Sequence, residues 1–94
     1  MTEQQRASLQ SYTTLMSEFV DGKLTAATFE SAYLQKFKNE GTMLPESVFS
    51  VLDRLFGDVD AYCADPSIRG SDGLGDEELL TATNTALAAL AKII

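Results

Sequence analysis

Residues 22–37 read GKLTAATFESAYLQKF and contain the end of one predicted helix and the start of the next. Gly22 suits the left-handed position at which many helices end. Thr25 predicts an N-cap, because its hydroxyl can accept a hydrogen bond from an early backbone N–H. Leu24 and Phe29, on either side of that cap, form a hydrophobic-staple pair. The inner stripe of the second helix is predicted to be Phe29, Ala32, Tyr33 and Phe37.

The sequence predicts four helices in all. The first spans about residues 4–20, and the second, just described, runs from its cap to about residue 39. The third spans about residues 45–62, with Pro45 in its first turn, and the fourth starts at Asp76. Their apolar stripes are Leu9, Tyr12, Met16, Phe19 and Val20 in the first, Phe49, Leu52, Phe56 and Val59 in the third, and Leu79, Thr83, Ala86, Leu87, Leu90 and Ile94 in the fourth.

The connections between these helices differ in length. The first two are short, and short connections favour antiparallel neighbours. The third contains DPSIRGSDGLG at residues 65–75, which is rich in glycine and other turn residues. We therefore expect an all-α fold, a compact antiparallel four-helix bundle, as a single helical domain over residues 1–94.

The composition narrows the class of protein. The 94 residues suffice for one core, and no segment approaches the ~20 apolar residues that span a bilayer. The single cysteine, Cys63, excludes an internal disulfide and fits a reducing compartment, so we expect a cytoplasmic protein. The chain has no histidine, the usual general base and commonest metal ligand. We therefore expect a binding protein rather than an enzyme, with no cofactor and no metal.

The acidic residues are concentrated in one stretch. Residues 58–78 carry seven carboxylates against one arginine, Arg69, a net of about −6 out of −7 for the whole chain. Such a segment predicts a cationic partner. The candidate partner-binding residues are Asp58, Asp60, Tyr62, Asp65, Asp72, Asp76, Glu77 and Glu78.

Simpler interpretations of these residues stay open. Acids in the first turn of the fourth helix are ordinary helix-dipole chemistry, and Asp58 with Asp60 could be a solvated helix face. Tyr62 could be a core residue with its hydroxyl at the rim.

Three other functions fit poorly. An EF-hand alignment on Asp65 puts Arg69 where an oxygen ligand is required, and the bidentate glutamate is missing. An acyl carrier protein needs a serine in an Asp-Ser-Leu motif, whereas this chain has Asp72-Gly73-Leu74. Direct nucleic-acid binding is disfavoured, since the carboxylates would repel phosphate.

The order of several short blocks resembles the colicin D immunity-like family, over roughly residues 12–90. The blocks are LMSEFVDGKLTA at residues 15–26, Phe29-Glu30, Tyr33-Leu34, LDRLF at residues 52–56, DVDAY at residues 58–62, Asp65, and DEELL at residues 76–80. None is a catalytic signature, so the resemblance depends on their order and spacing.

This resemblance implies a small four-helix bundle that binds and neutralises a cognate toxin nuclease domain, in bacteriocin or contact-dependent growth inhibition systems. The type member covers the basic active site of a tRNA-cleaving toxin with acidic side chains. The matching positions are Asp58, Asp60, Tyr62, Asp65 and residues 76–78. We expect a 1:1 complex with the basic toxin domain, a monomer when free, and no contact with nucleic acid or membrane. The alternative is an acidic helical adaptor or regulatory module that binds a basic protein.

Overall fold

A computed structural model describes residues 1–63 and 74–93 and shows four α-helices in this part of the chain. Helix α1 spans Glu3–Val20, α2 spans Ala26–Lys38, α3 spans Glu46–Ala61 and α4 spans Asp76–Ile93. Each predicted helix is present, with bounds close to the predicted ones. The expected all-α helical bundle is confirmed.

Local capping explains where the first two helices begin. Thr2 and Gln5 form a reciprocal capping box: the Gln5 N–H donates to Thr2 Oγ1 at 3.1 Å, and the Thr2 N–H donates to Gln5 Oε1 at 2.8 Å. Thr25 caps α2 as predicted, since its Oγ1 accepts from the Thr28 N–H at 3.1 Å. Between these helices Gly22 adopts φ 82°, the left-handed conformation that glycine tolerates best.

The core lies along the bundle axis and takes at least three residues from every helix. A buried hydrogen bond ties two helices together, because the Tyr33 hydroxyl donates to the Leu52 carbonyl at 2.8 Å. The buried residues of the helices are Leu9, Tyr12, Met16, Phe19, Ala26, Phe29, Tyr33, Val48, Leu52, Leu55, Val59, Leu79, Thr83, Ala86 and Leu90. The predicted stripe residue Ile94 lies outside the described residues.

The predicted inner stripe of α3 is wrong in half of its members. Leu52 and Val59 are buried as expected, but their partners in the core are Val48 and Leu55. Phe49 is 47% exposed instead. The phenylalanines lie beside the core stripe because their rings stack on Phe37 of α2, at 5.8 Å from Phe49 and 4.7 Å from Phe56 between ring centroids. Periodicity alone does not separate two adjacent stripes on one helix.

Contacts between the helix ends establish the antiparallel arrangement. At one end, a cleft of about 250 Å³ is lined by Phe19 and Val20 of α1, by residues of the α1–α2 connection, and by Asp76, Glu77 and Leu80 of α4. At the other end, Gln5 Nε2 donates to the Met43 carbonyl at 2.8 Å, and Ser8 Oγ donates to Glu40 Oε1 at 2.6 Å. The ends of α1 and α3 therefore meet the starts of α2 and α4. No helix in the described ranges is long and apolar enough to cross a membrane.

Candidate functional site: the acidic end of the bundle

The last turn of α3 and the first turn of α4 lie side by side, although more than ten residues separate them in sequence. The Cys63 N–H donates to the Leu74 carbonyl at 2.8 Å, and the Leu74 N–H donates to the Ala61 carbonyl at 3.1 Å. Together they form an isolated parallel bridge between Tyr62 and Leu74. The two parts of the acidic stretch that the structure describes are thereby brought to one end of the bundle.

Tyr62 connects these two parts directly. Its side chain is 9% exposed and belongs to the core, while its hydroxyl donates to Asp76 Oδ1 at 2.7 Å. A hydrogen bond to a carboxylate is stronger than one between neutral groups. The ring therefore packs inside the bundle, and the hydroxyl fixes the position of an exposed carboxylate at the start of α4.

The three acids of the first turn of α4 are all exposed. Asp76 accepts from Tyr62, and Glu78 accepts weakly from the Gly75 N–H, at 3.4 Å, which is the reciprocal half of a capping box. Negative charge at a helix N-terminus is also favoured by the helix dipole. Capping and the helix dipole thus explain much of why acidic residues occupy Asp76–Glu78, as the simpler interpretation expected.

Asp58 and Asp60 lie on different flanks of α3, because residues two apart on a helix point about 200° away from each other. Asp58 is half-buried and lines a groove of about 280 Å³ between α3 and α4, next to Arg54 and Ala86. Asp60 is exposed and lies four residues after Phe56, toward α2. The carboxylates therefore surround the end of the bundle rather than form one flat face.

The fold adds two acids that the sequence analysis missed. Glu18 lies in the last turn of α1 and Asp21 is the C-cap of that helix, at the end where α4 begins. We call this set the acidic end: Glu18, Asp21, Asp58, Asp60, Asp76, Glu77 and Glu78. The signal that could have found them is topological, since in an antiparallel bundle odd-numbered helices end where even-numbered helices begin.

Helix polarity divides these seven acids into two groups. The acids at the start of α4 stand where the helix dipole favours negative charge. The other four acids, Glu18, Asp21, Asp58 and Asp60, lie at the C-terminal ends of α1 and α3, where the helix dipole disfavours negative charge. Neither helix has a basic residue in its last turn. The even-numbered helices do follow the usual rule, with Lys36 and Lys38 at the end of α2 and Lys92 at the end of α4.

The chain's charges are therefore polarised along the bundle. The acidic end carries seven carboxylates and, among the described residues nearby, Lys23 in the α1–α2 connection and Arg54 beside Asp58. The opposite end carries Arg6 and the three lysines at the ends of α2 and α4, together with Glu3, Glu40 and Glu46, so its charges nearly balance. A cationic partner is attracted to one end far more than to the other.

Other candidates from the sequence have separate outcomes. Asp65 and Asp72 lie outside the described residues. Within residues 1–63 and 74–93, no group of three or more His, Cys, Asp or Glu side chains could hold a metal ion. The single cysteine, Cys63, is half-buried. The described part of this end can therefore bind through carboxylates, and it offers no ligand set for a metal.

Comparison with known proteins gives one match. A family model described as bacterial self-protective colicin-like immunity matches residues 7–90. No curated protein and no solved structure shows significant similarity to the chain. The match covers nearly all of the chain, and it confirms the resemblance to a colicin-like immunity family that the sequence blocks indicate.

Proposed function

The chain belongs to the bacterial self-protective colicin-like immunity family, and on that premise we propose that its acidic end covers the basic active site of a cognate toxin nuclease. Proteins of this family bind a toxin partner, so the chain acts as an inhibitor that binds rather than as an enzyme. We further propose that the toxin domain is a tRNase, that the complex is 1:1, and that the two proteins meet in the cytoplasm.

The observation that supports this proposal most is the placement of Glu18, Asp21, Asp58 and Asp60 at the C-terminal ends of α1 and α3. The helix dipole disfavours acids there, and mutual repulsion with the acids of α4 adds to the cost. Folding stability therefore does not explain their presence. A cationic partner does, because its positive charge would offset both effects on binding.

The chemistry of the proposed target is complementary. A nuclease that cleaves tRNA must hold phosphates with lysine and arginine side chains. Carboxylates can form charge-assisted hydrogen bonds with the same side chains, and bidentate ones with arginine. The polarised field of the bundle would also orient it during diffusion and raise the association rate toward ~10⁸ M⁻¹s⁻¹ at low salt. Fast capture suits an inhibitor that protects a cell from its own toxin.

Co-expression with the toxin domain encoded beside this chain tests the proposal. We expect growth rescue, co-purification in a 1:1 complex, and loss of nuclease activity on tRNA in vitro. The double reversal Asp60→Lys/Glu77→Lys should weaken binding and flatten its salt dependence, because both carboxylates are exposed at the acidic end.

The matched control makes the same change in net charge away from the acidic end. Glu3→Lys/Gln4→Lys/Gln10→Lys alters exposed residues in the first half of α1, away from the acidic end. If this control weakened binding as much as the test pair, net charge rather than the acidic end would be responsible. Tight binding to a basic partner that has no nuclease activity would support the adaptor alternative instead.

A further inference from the structure

Helix α3 carries a second stripe, outside the core, in which aromatic and acidic residues alternate. Phe49, Asp53, Phe56 and Asp60 follow one another at steps of four, three and four residues, the spacing of one helical face. Phe49 and both aspartates are exposed, and Phe56 is half-buried. We call these four residues the outer stripe of α3.

The aromatic rings of the outer stripe are held in place by α2. Phe37 stacks against Phe49 with 5.8 Å between centroids, and against Phe56 with 4.7 Å. Phe49 nevertheless remains 47% exposed. Exposed aromatic surface that is already ordered loses little conformational freedom on binding, which is the property of an interface anchor.

Asp53 faces the same flank of the bundle. Burial raises the pKa of Tyr33 of α2, and the nearby Tyr12 and Asp53 raise it further. Asp53 is thus close enough to α2 for its charge to act on that helix, although its own side chain is exposed. The outer stripe therefore presents carboxylates beside aromatic rings on the α2–α3 flank.

The two ends of the outer stripe have different surroundings. Asp60 belongs to the acidic end, so the stripe continues that surface along the side of the bundle. Beside Phe49 lies an open cleft of about 660 Å³, lined also by Phe37, Leu44 and Met43. Met43 is 88% exposed. The flank thus combines carboxylates, aromatic rings and a cleft for an apolar side chain.

We propose that the outer stripe of α3 is a second part of the toxin-binding surface, which receives a toxin segment bearing arginine or lysine next to an apolar side chain. The inference rests on the proposed function and adds the α2–α3 flank to it. Arginine and lysine have long apolar stems that can lie on aromatic rings while their charged groups reach carboxylates. Phe49 then supplies an exposed aromatic anchor, whereas the ring of Tyr62, a candidate partner-binding residue from the sequence, is buried.

Binding measurements on single variants of the outer stripe test this inference. Phe49→Ala should lower affinity for the cognate toxin domain at least ~10-fold, mainly through faster dissociation, with the salt dependence unchanged. Asp53→Lys should lower affinity and also reduce the salt dependence. The matched controls are Ile93→Ala, which removes a 39%-exposed apolar side chain of α4, and Glu3→Lys.

The outcomes separate this inference from the proposed function. If Phe49→Ala and Asp53→Lys bind as tightly as the controls while Asp60→Lys/Glu77→Lys binds weakly, the outer stripe beyond Asp60 is not part of the interface and the acidic end still is. If the unmodified chain does not bind the toxin domain, the proposed function itself fails. Thermal melting of each variant shows whether it is still folded. Phe49→Lys is a second variant at this position, and its positive charge should repel a cationic toxin segment.

Discussion

Two buried tyrosines provide a matched test of the core. Tyr12 and Tyr33 are both fully buried, and their rings meet edge to face at 5.7 Å between centroids. The Tyr33 hydroxyl donates to the Leu52 carbonyl at 2.8 Å. The Tyr12 hydroxyl makes no hydrogen bond of good geometry, although it lies close enough to the Glu40 carboxylate to interact with it. Replacement by phenylalanine removes the same single oxygen atom in each case. The lost partner differs between the two variants: it is a backbone carbonyl at hydrogen-bond distance for Tyr33 and the Glu40 carboxylate, without good hydrogen-bond geometry, for Tyr12.

Tyr33→Phe should destabilise the protein by about 1 kcal/mol, the net worth of a typical intramolecular hydrogen bond. The ring contacts with Phe29 and Phe37 are kept, so little else is lost. For a domain of this size, 1 kcal/mol corresponds to a fall in Tm of roughly 4–8 °C. Tyr12→Phe should cost less free energy of unfolding than Tyr33→Phe, since the Tyr12 hydroxyl interacts with Glu40 without a hydrogen bond of good geometry.

Urea denaturation followed by far-UV circular dichroism measures both free energies of unfolding. The urea dependence of the unfolding free energy should be equal in the two variants, since neither changes the surface exposed on unfolding. Equal losses in both would contradict the reasoning. That result would mean that the Tyr12 hydroxyl donates a full hydrogen bond to the Glu40 carboxylate in solution.

Three further predictions concern stability. Thr25→Ala should cost about 1 kcal/mol, because it removes the N-cap of α2, and urea denaturation measures this loss. Burial alone would raise the pKa of Glu40, but hydrogen bonds from Ser8 and from the Thr42 N–H, with smaller effects of the Tyr12 hydroxyl and the Lys36 charge, outweigh it and lower that pKa. Its contribution is therefore present at neutral pH and lost as pH falls through the folded pKa, so Glu40→Gln should reduce the acid sensitivity of unfolding measured from about pH 6 to about pH 3. Asp60→Asn should raise the Tm of the free protein while weakening toxin binding, since it removes an acid from the C-terminal end of a helix.

Helix positions were predictable from the sequence because the signals that set them are local. The hydroxyl of Thr25 and the conformational freedom of Gly22 act within a few residues, and both function in the structure as predicted. The inner face of α3 was harder to predict, because Phe49 and Phe56 are as apolar as the true core residues beside them. Their position depends on Phe37 of α2, a contact between helices that no local pattern contains.

The candidate site was predictable in part for the same reason. The acids of residues 58–62 and 76–78 were found because they are dense in the sequence, and whether they contact a partner remains a prediction. Glu18 and Asp21 were missed because only the fold brings the end of α1 to the start of α4. The position of Tyr62 depends on the pairing of its backbone neighbours with Leu74, which sequence spacing does not reveal.

Helix polarity gives the strongest reason to regard the acidic end as functional. The chain places lysines at the ends of α2 and α4, as stability favours, and acids at the ends of α1 and α3, against it. In an antiparallel bundle this arrangement puts every one of these acids at the same end, together with the acids that open α4. A sequence selected for stability alone would place bases at the ends of all four helices. Asp60→Asn therefore separates the requirements of folding stability from those of toxin binding. A rise in stability with a loss of toxin binding would show that Asp60 serves the partner at the expense of the fold. A fall in both would assign Asp60 a role in the fold.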